Sequence, residues 1–470
     1  MSKVVKSISE AIRLAGVREG ATISFHHHLR NGDYVLNMVL DAIASAGIKN
    51  IKVNASSLFD THLPIVEHIK NGVVTGIQTN YVSAGIGRAI SEGVLDTPVE
   101  FRTHGARPTD IELGVTPIDV AFIAAPTADK EGNATGKIGK SACGSLGYAV
   151  SDAKYAKSVV VITDNLIDTL EEPSIDGTDV DYVVAVEEIG NPAGIVSGTT
   201  RITRDPVGLV MAEMAAKVIL ASGLLKDGFA FQTGAGGASL AAAKFLKEIM
   251  LERGIVGSFG LGGITGYMVD MLKSGCFERL YDVQCFDLDA VESIKSDPRH
   301  IEVSAREYAS PINPEALVNK LDVVILGATE IDTDFNVNVH TDSQGYLMGG
   351  SGGHSDTAHG AKLSMIIAPM FRARLPIVTD RVTTISTPGK DIDVLVTQGG
   401  IAVNPRCTEL RERLIDFGLP VIDIEALKAR AESITGTPCK IKRGDRVVAN
   451  VLSRDGGVLD TVMNVPGGIL

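Results

Sequence analysis

Two distant parts of the chain repeat one another, and that repetition restricts the fold more than any other feature. Ile118-Asp119-Val120-Ala121 returns 203 positions later as Leu321-Asp322-Val323-Val324. The same offset lays Thr127 on Glu330 and Asn133 on Asn336. Gly20-Ala21-Thr22 and Gly228-Phe229-Ala230 stand 208 apart. Asp179-Val180-Asp181 and Asp391-Ile392-Asp393 stand 212 apart, and both lead to an Asn-Pro pair, Asn191-Pro192 and Asn404-Pro405. One such match is within reach of chance. Three in one order, with nearly constant offsets, mark an internal duplication. Two related domains are expected, residues 1–206 and 207–470, with a ligand cleft between them.

Short apolar runs rich in β-branched residues predict buried strands at 21–25, 51–53, 120–124, 158–163 and 182–186 in the first copy. The second copy offers 229–233, 258–261, 321–326, 377–378 and 394–397. Helical spacing falls between most of these, at 8–14, 34–46, 207–221 and 238–251, so the sheets are expected to be mainly parallel α/β sheets. Two more helices, near 409–417 and 424–433, precede a hairpin of 446–451 against 458–465, turned at Asp455-Gly456-Gly457. With 44% hydrophobic residues, no tryptophan and 50 glycines, the chain suits layered α/β architecture with many tight strand–helix turns.

The net charge of −13 argues against a nucleic-acid partner and means that an anionic ligand must be held by local cationic or backbone N–H groups. Five cysteines, none spaced C-x-x-C, are no disulfide framework, so a reduced, cytoplasmic setting is expected. No apolar run approaches the ~18 residues of a membrane span, and a soluble protein with no membrane partner is expected.

Four segments carry candidate chemistry. Glu330 follows the strand at 321–326, where an open α/β sheet places its ligand, and Asn336 and Asn338 alternate with valines so that both amides share one face. The turn Gly349-Gly350-Ser351-Gly352-Gly353 lets a backbone approach a ligand closely. His354-Ser355-Asp356 follows it, but adjacent residues cannot build a triad. Gly234-Ala235-Gly236-Gly237 joins a strand to a helix, so its amides can offer an oxyanion site; no Lys-Ser/Thr follows, so it is not a P-loop. His26-His27-His28, with Arg30 close by, ends the strand at 21–25: His26 and His28 share a side and His27 opposes them. The triplet lacks the four spaced ligands of a structural zinc site, and no metal is assigned. It reads either as a cluster that caps the core or as a carboxylate-binding group.

Phe231-Gln232-Thr233-Gly234-Ala235-Gly236-Gly237-Ala238-Ser239-Leu240, together with 321–358, resembles the coenzyme A transferase superfamily. Ser24 to His27, Gly262-Gly263-Ile264-Thr265, Glu330 to Val339 and Gly352-Gly353-His354 resemble its citrate lyase alpha-chain family, over Ser7 to Val465. The resemblance implies two tandem three-layer α/β/α domains. It implies a citrate–acyl-carrier-protein transferase that exchanges acetate for citrate on a thioester, with no tightly bound cofactor. The thioester would be that of a phosphopantetheine-type group on an acyl carrier (gamma) subunit, with CoA thioesters as alternatives. A beta subunit that cleaves the citryl thioester and a second copy of the chain would be further partners. Glu330 would be the catalytic carboxylate. Gly234, Ala235, Gly236, Gly237, Gly350, Gly352 and Gly353 would hold the thioester and its oxyanion. His26, His27, Arg30, Asn336 and Asn338 would bind substrate. Two alternatives stay open: a coenzyme A transferase or acyl-CoA hydrolase acting on free acids or acyl-CoA, and a non-catalytic scaffold of the lyase complex.

Overall fold

The computed structural model describes residues 2–196, 202–234, 236–439 and 442–466. Two large sheets form its frame. The first runs, in spatial order, Val4–Val5, Tyr182–Ala185, Ser158–Thr163, Val120–Ala124, Thr22–Phe25, Ile51–Ala55, Val74–Thr79 and Val99–Phe101, then Val447–Leu452 and Val458–Met463. The second runs Val394–Thr397, Leu363–Ile367, Val323–Leu326, Ala230–Thr233, Gly257–Ile264, Phe277–Cys285 and His300–Glu302, with Gly400–Val403 on its outer edge. From Tyr182 to Phe101, and from Val394 to Glu302, both sheets have the same strand order and all neighbours are parallel. The repeat in the letters is a repeat in topology.

The recurring aspartates explain why those letters persist. Asp119 Oδ2 accepts from the Thr22 amide at 2.8 Å, and Asp322 Oδ2 from the Ala230 amide at 2.8 Å. Lys157 and Lys362 hold the other oxygen of each at 2.7 and 2.8 Å. Asp181 and Asp393 clamp the next pair of strands in the same way, through the amides of Val159 and Ser364. Each carboxylate thus supplies a charge-assisted acceptor to a strand-start N–H that would otherwise lack a partner.

Helices connect the parallel strands, and their ends follow local rules. Pro206–Ser222 starts with Asp205, whose carboxylate accepts from the Gly208 amide at 3.1 Å, and with proline in the first turn; it stops at Gly223 in left-handed conformation, φ 77°. It packs on Gly237–Arg253 in the second half.

The strand pattern departs from expectation in two ways. Val74–Thr79, Phe277–Cys285 and Leu363–Ile367 are strands that the apolar-run criterion passes over; FERLYDVQC breaks its apolar residues with charges, yet is buried over Asp282 to Cys285. The C-terminal hairpin forms as predicted but does not stay with residues 207–470. Val447–Leu452 pairs in parallel with Val99–Phe101, extending the first sheet. Among the described residues, no helix is long and apolar enough to cross a membrane.

Candidate functional site

In each sheet the chain runs from the central strand to one edge, then returns to continue on the other side. The carboxyl ends of Thr22–Phe25 and Ala230–Thr233 are therefore switch points, where open α/β sheets leave a crevice. The first is followed by His26 to Arg30, the second by Gly234 to Gly237, and the strand beside the second, Val323–Leu326, leads to Glu330.

The three histidines part as the alternation predicts. His26 and His28 stack at 5.7 Å between ring centres. The structure turns His26 inward, away from its expected substrate role. Its Nε2 lies 3.1 Å from Asp152 Oδ2, both side chains being fully buried, while Arg107 grips Asp152 with two bonds of 2.7 and 2.8 Å. Burial pushes the Asp152 carboxyl up, but Arg107 and then His26 outweigh it and hold it well below the usual carboxylate range. His27 lies in an aromatic group: its ring centre is 4.6 Å from Tyr148, 5.8 Å from His104 and 5.9 Å from Phe59. Its carbonyl accepts from Gln284 Nε2 of the second half at 2.7 Å.

Arg30 sits on a tight turn with φ 53°, a conformation that costs a residue with a Cβ of order 1–2 kcal/mol. Its guanidinium is stacked 4.5 Å from the Phe286 ring centre and 5.3 Å from that of Phe59. Nε and Nη1 are buried and, among the described residues, have no hydrogen-bond partner. Burial lowers its pKa from the ordinary guanidinium value to about 10, against the opposing pull of Tyr81 and Tyr148. Gly263 makes this stack possible, because a Cβ there would overlap the Phe286 ring.

The loop at 349–353 closes on this group from the second half. A Cβ at Gly350 would overlap the Asn80 carbonyl, and one at Gly353 would lie 2.5 Å from the Tyr308 hydroxyl. Gly352 has φ 51°, its carbonyl accepts from the His104 amide at 2.9 Å, and its Cβ would meet His104 Nε2 at 3.0 Å. Gly350 and Gly352 thus first serve close approach between the two halves, and Gly353 close approach within the second. Asp356 fixes the loop by accepting from Thr103 Oγ1 and the Gly105 amide, each at 2.9 Å. His354 Nε2 donates to the Gly327 carbonyl at 2.9 Å, so the three adjacent residues serve separate purposes.

The turn after Thr233 is only partly available. The Gly234 amide donates to the Ile325 carbonyl at 2.8 Å, so it cannot serve an oxyanion, a correction to its expected role. Gly236 is the helix N-cap with φ −69°, and a Cβ on it would come no nearer than 3.8 Å to Ser239 Oγ. Gly237 opens the helix. Ala235 lies outside the described residues.

Glu330 is 4% exposed, and its carboxylate gathers three donors: Asn338 Nδ2 at 3.0 Å, the Thr383 amide at 2.8 Å and Thr383 Oγ1 at 3.1 Å. Asn338 therefore reaches the carboxylate. Asn336 does not: its Nδ2 donates to Asp332 at 3.1 Å and its Oδ1 accepts from Gly389 at 2.9 Å. Asn133 makes the same turn with Asp129 and Gly177 in the first half. Asn336 is thus a duplicated turn residue, and the structure withdraws it from the substrate side. His104, Tyr148, Tyr308 and Phe286 are the site residues that sequence reasoning passed over; each is a single residue in no recognisable motif. Among the described residues, no cluster of three or more His, Cys, Asp or Glu side chains could hold a metal ion.

Two doubly wound copies meeting across glycine turns define a coenzyme A transferase-like fold. The alpha subunit of malonate decarboxylase from Acinetobacter baumannii shares it, with a TM-score of 0.69 over 93% of each chain at 17% identity. Residues 1–465 match the family model of the citrate lyase alpha subunit (CitF). The chain is 49% identical to the citrate lyase alpha chain of Klebsiella pneumoniae over 464 residues, 98% of this chain and 91% of that one. A structure from Streptococcus mutans, assigned as the alpha subunit of citrate lyase and solved in complex with citrate, superposes with a TM-score of 0.97 at 48% identity, covering 99% of this chain and 92% of that one. The chain belongs to the citrate lyase alpha-subunit family.

Proposed function

We propose that the chain exchanges acetate for citrate on a carrier thioester, turning an acetyl thioester into a citryl thioester. The observation that carries this reading is Arg30, a buried guanidinium without an acidic partner among the described residues, stacked between two phenylalanines at the switch point. A buried cation left unpaired is costly, and a tricarboxylate supplies the missing charge. The relative solved with citrate agrees in ligand class.

In the reaction a citrate carboxylate oxygen bonds to the acetyl carbonyl carbon and the thiolate leaves, giving a mixed anhydride. The thiolate then attacks the citryl carbonyl and acetate leaves. The three donors on Glu330 spread its charge and weaken it as a nucleophile, which favours this direct route over a glutamyl thioester. Glu330 then acts by fixing Asn338 and Thr383. The carrier subunit would present the thioester, a beta subunit would consume the citryl product, and a second copy of the chain would complete a dimer.

The test is incubation of the pure chain with acetyl-CoA or the acetylated carrier and citrate, with mass detection of the citryl thioester. Acyl-CoA hydrolysis, or exchange among simple carboxylic acids without citrate, would favour the relatives of the superfamily. Unaltered lyase turnover in an assembled complex with Arg30→Ala and Glu330→Ala would leave only a scaffold.

A further inference from the structure

We propose that His27 is a neutral electrophile, held with its proton on Nε2 by Ser56, that donates a hydrogen bond to the reacting carbonyl oxygen. The assignment rests on the transfer reading above and gives one residue of that site a chemical task.

The Ser56 hydroxyl oxygen accepts from the His27 backbone amide at 3.2 Å and lies 2.5 Å from His27 Nδ1. A serine hydroxyl has one proton. Among the described residues no other acceptor takes it, so it points at Nδ1. Nδ1 is then an acceptor, and a neutral ring must carry its proton on Nε2. Among the described residues, Nε2 makes no hydrogen bond; the residue is 3% exposed, yet Nε2, unlike the ring nitrogens of His26 and His28, is not sealed from the crevice. A donor without a partner beside the switch point fits a developing oxyanion.

The surroundings keep the ring neutral. His26 and His28 flank it in sequence, Arg30 follows on the next turn, His104 stacks on it from the segment before the helix Ala106–Glu112, and Tyr148 covers another side. Burial, then His104, His28, Arg30 and His26, lower the pKa of His27 well below 6.5. Neutral imidazole is the better partner here, because an imidazolium would bind free citrate and product as tightly as the transition state.

Nitrogen-resolved NMR of the wild-type ring is expected to show the proton on Nε2 from about pH 8 down to about pH 5, where a histidine of ordinary pKa near 6.5 would have become charged. His27→Ala should lower kcat by about 10²–10³-fold, the range for loss of one oxyanion donor. His27→Gln, which keeps an N–H donor on a neutral side chain, should recover part of that loss. Ser56→Ala should let the Nδ1–H tautomer appear and lower kcat, while Ser56→Thr should restore both. A wild-type proton on Nδ1, or full kcat in His27→Ala, would overturn the assignment. Absence of thioester exchange by the wild type would overturn the transfer reading instead, and the tautomer measurement would still decide for or against His27.

Discussion

Replacing Arg30 by methionine should separate what the residue costs the fold from what it gives the ligand. Methionine keeps the length and the apolar stack on Phe59 and Phe286 but removes the charge. The guanidinium pKa falls from its ordinary value to about 10 in the folded chain. At about 1.4 kcal/mol per tenfold, that is about 3 kcal/mol of discrimination against the charged form. The sign is that of a depressed group. The side chain is charged in both states below pH 10, so at neutral pH the folded state carries the whole cost. Arg30→Met should therefore melt higher than wild type without ligand. With citrate the order should narrow or reverse, because each charge-assisted hydrogen bond is worth about 1.5–3 kcal/mol. The loss of one or more such bonds predicts citrate binding weaker by ~10-fold or more. Thermal melts with and without citrate, and titration calorimetry, measure both arms. A variant that melts lower than wild type in the absence of citrate, and binds it equally well, would refute the reasoning.

Glu330→Ala strands three buried donors at a cost of about 1–3 kcal/mol each and should lose nearly all transfer. Glu330→Gln, which can still accept from Thr383, should keep part of it, and hydroxylamine trapping during turnover should find no adduct on Glu330. A Cβ at Gly236 would come no nearer than 3.8 Å to Ser239 Oγ, so the fold should hold in Gly236→Val; a loss of turnover at unchanged melting temperature would place the thioester on this turn, and full activity would remove the turn from the site. Gly350→Ala would drive a Cβ into the Asn80 carbonyl and should lower the melting temperature as well as activity. His340 is fully buried between Ser386 and Phe101, and burial brings its pKa to about 3. Its neutral burial is stabilising above pH 6.5 and is lost as pH falls toward 3, by about 1.4 kcal/mol per pH unit; melting should fall on acidification below pH 6.5, less so in His340→Gln.

Much of this frame is legible because it occurs twice. Asp119 and Asp322 recur where a strand-start amide, 97 and 92 residues away, needs an acceptor, and Asn133 and Asn336 recur because each closes the same local turn. The misplaced parts depend on partners that no local pattern names. Nothing within Val447–Leu452 says that its neighbour is Val99–Phe101, some 350 residues earlier. The pattern HHH cannot say that His26 will face Asp152, because the carboxylate arrives on a helix more than a hundred residues on. Glu330 and Asn338 are legible together because they face each other across adjacent short strands.

The duplication also shows where the two copies had to diverge. At the offset of 208, Phe25 aligns with Thr233, and the next residues pair His26 with Gly234 and His28 with Gly236. The first copy thus fills its switch point with imidazoles and a guanidinium, and the second empties its own of side chains. Thr127 and Glu330 show the same division. Thr127 donates to the Ile138 carbonyl at 2.8 Å and accepts from Asn165 at 2.9 Å, a closed structural knot. Its counterpart is a carboxylate with three donors. Placing a carboxylate at Thr127, as in Thr127→Glu, would set a charge against the Ile138 carbonyl with Asn165 as its one donor among the described residues. The first copy should lose stability and gain no activity, which is the asymmetry expected if one half binds and the other makes room.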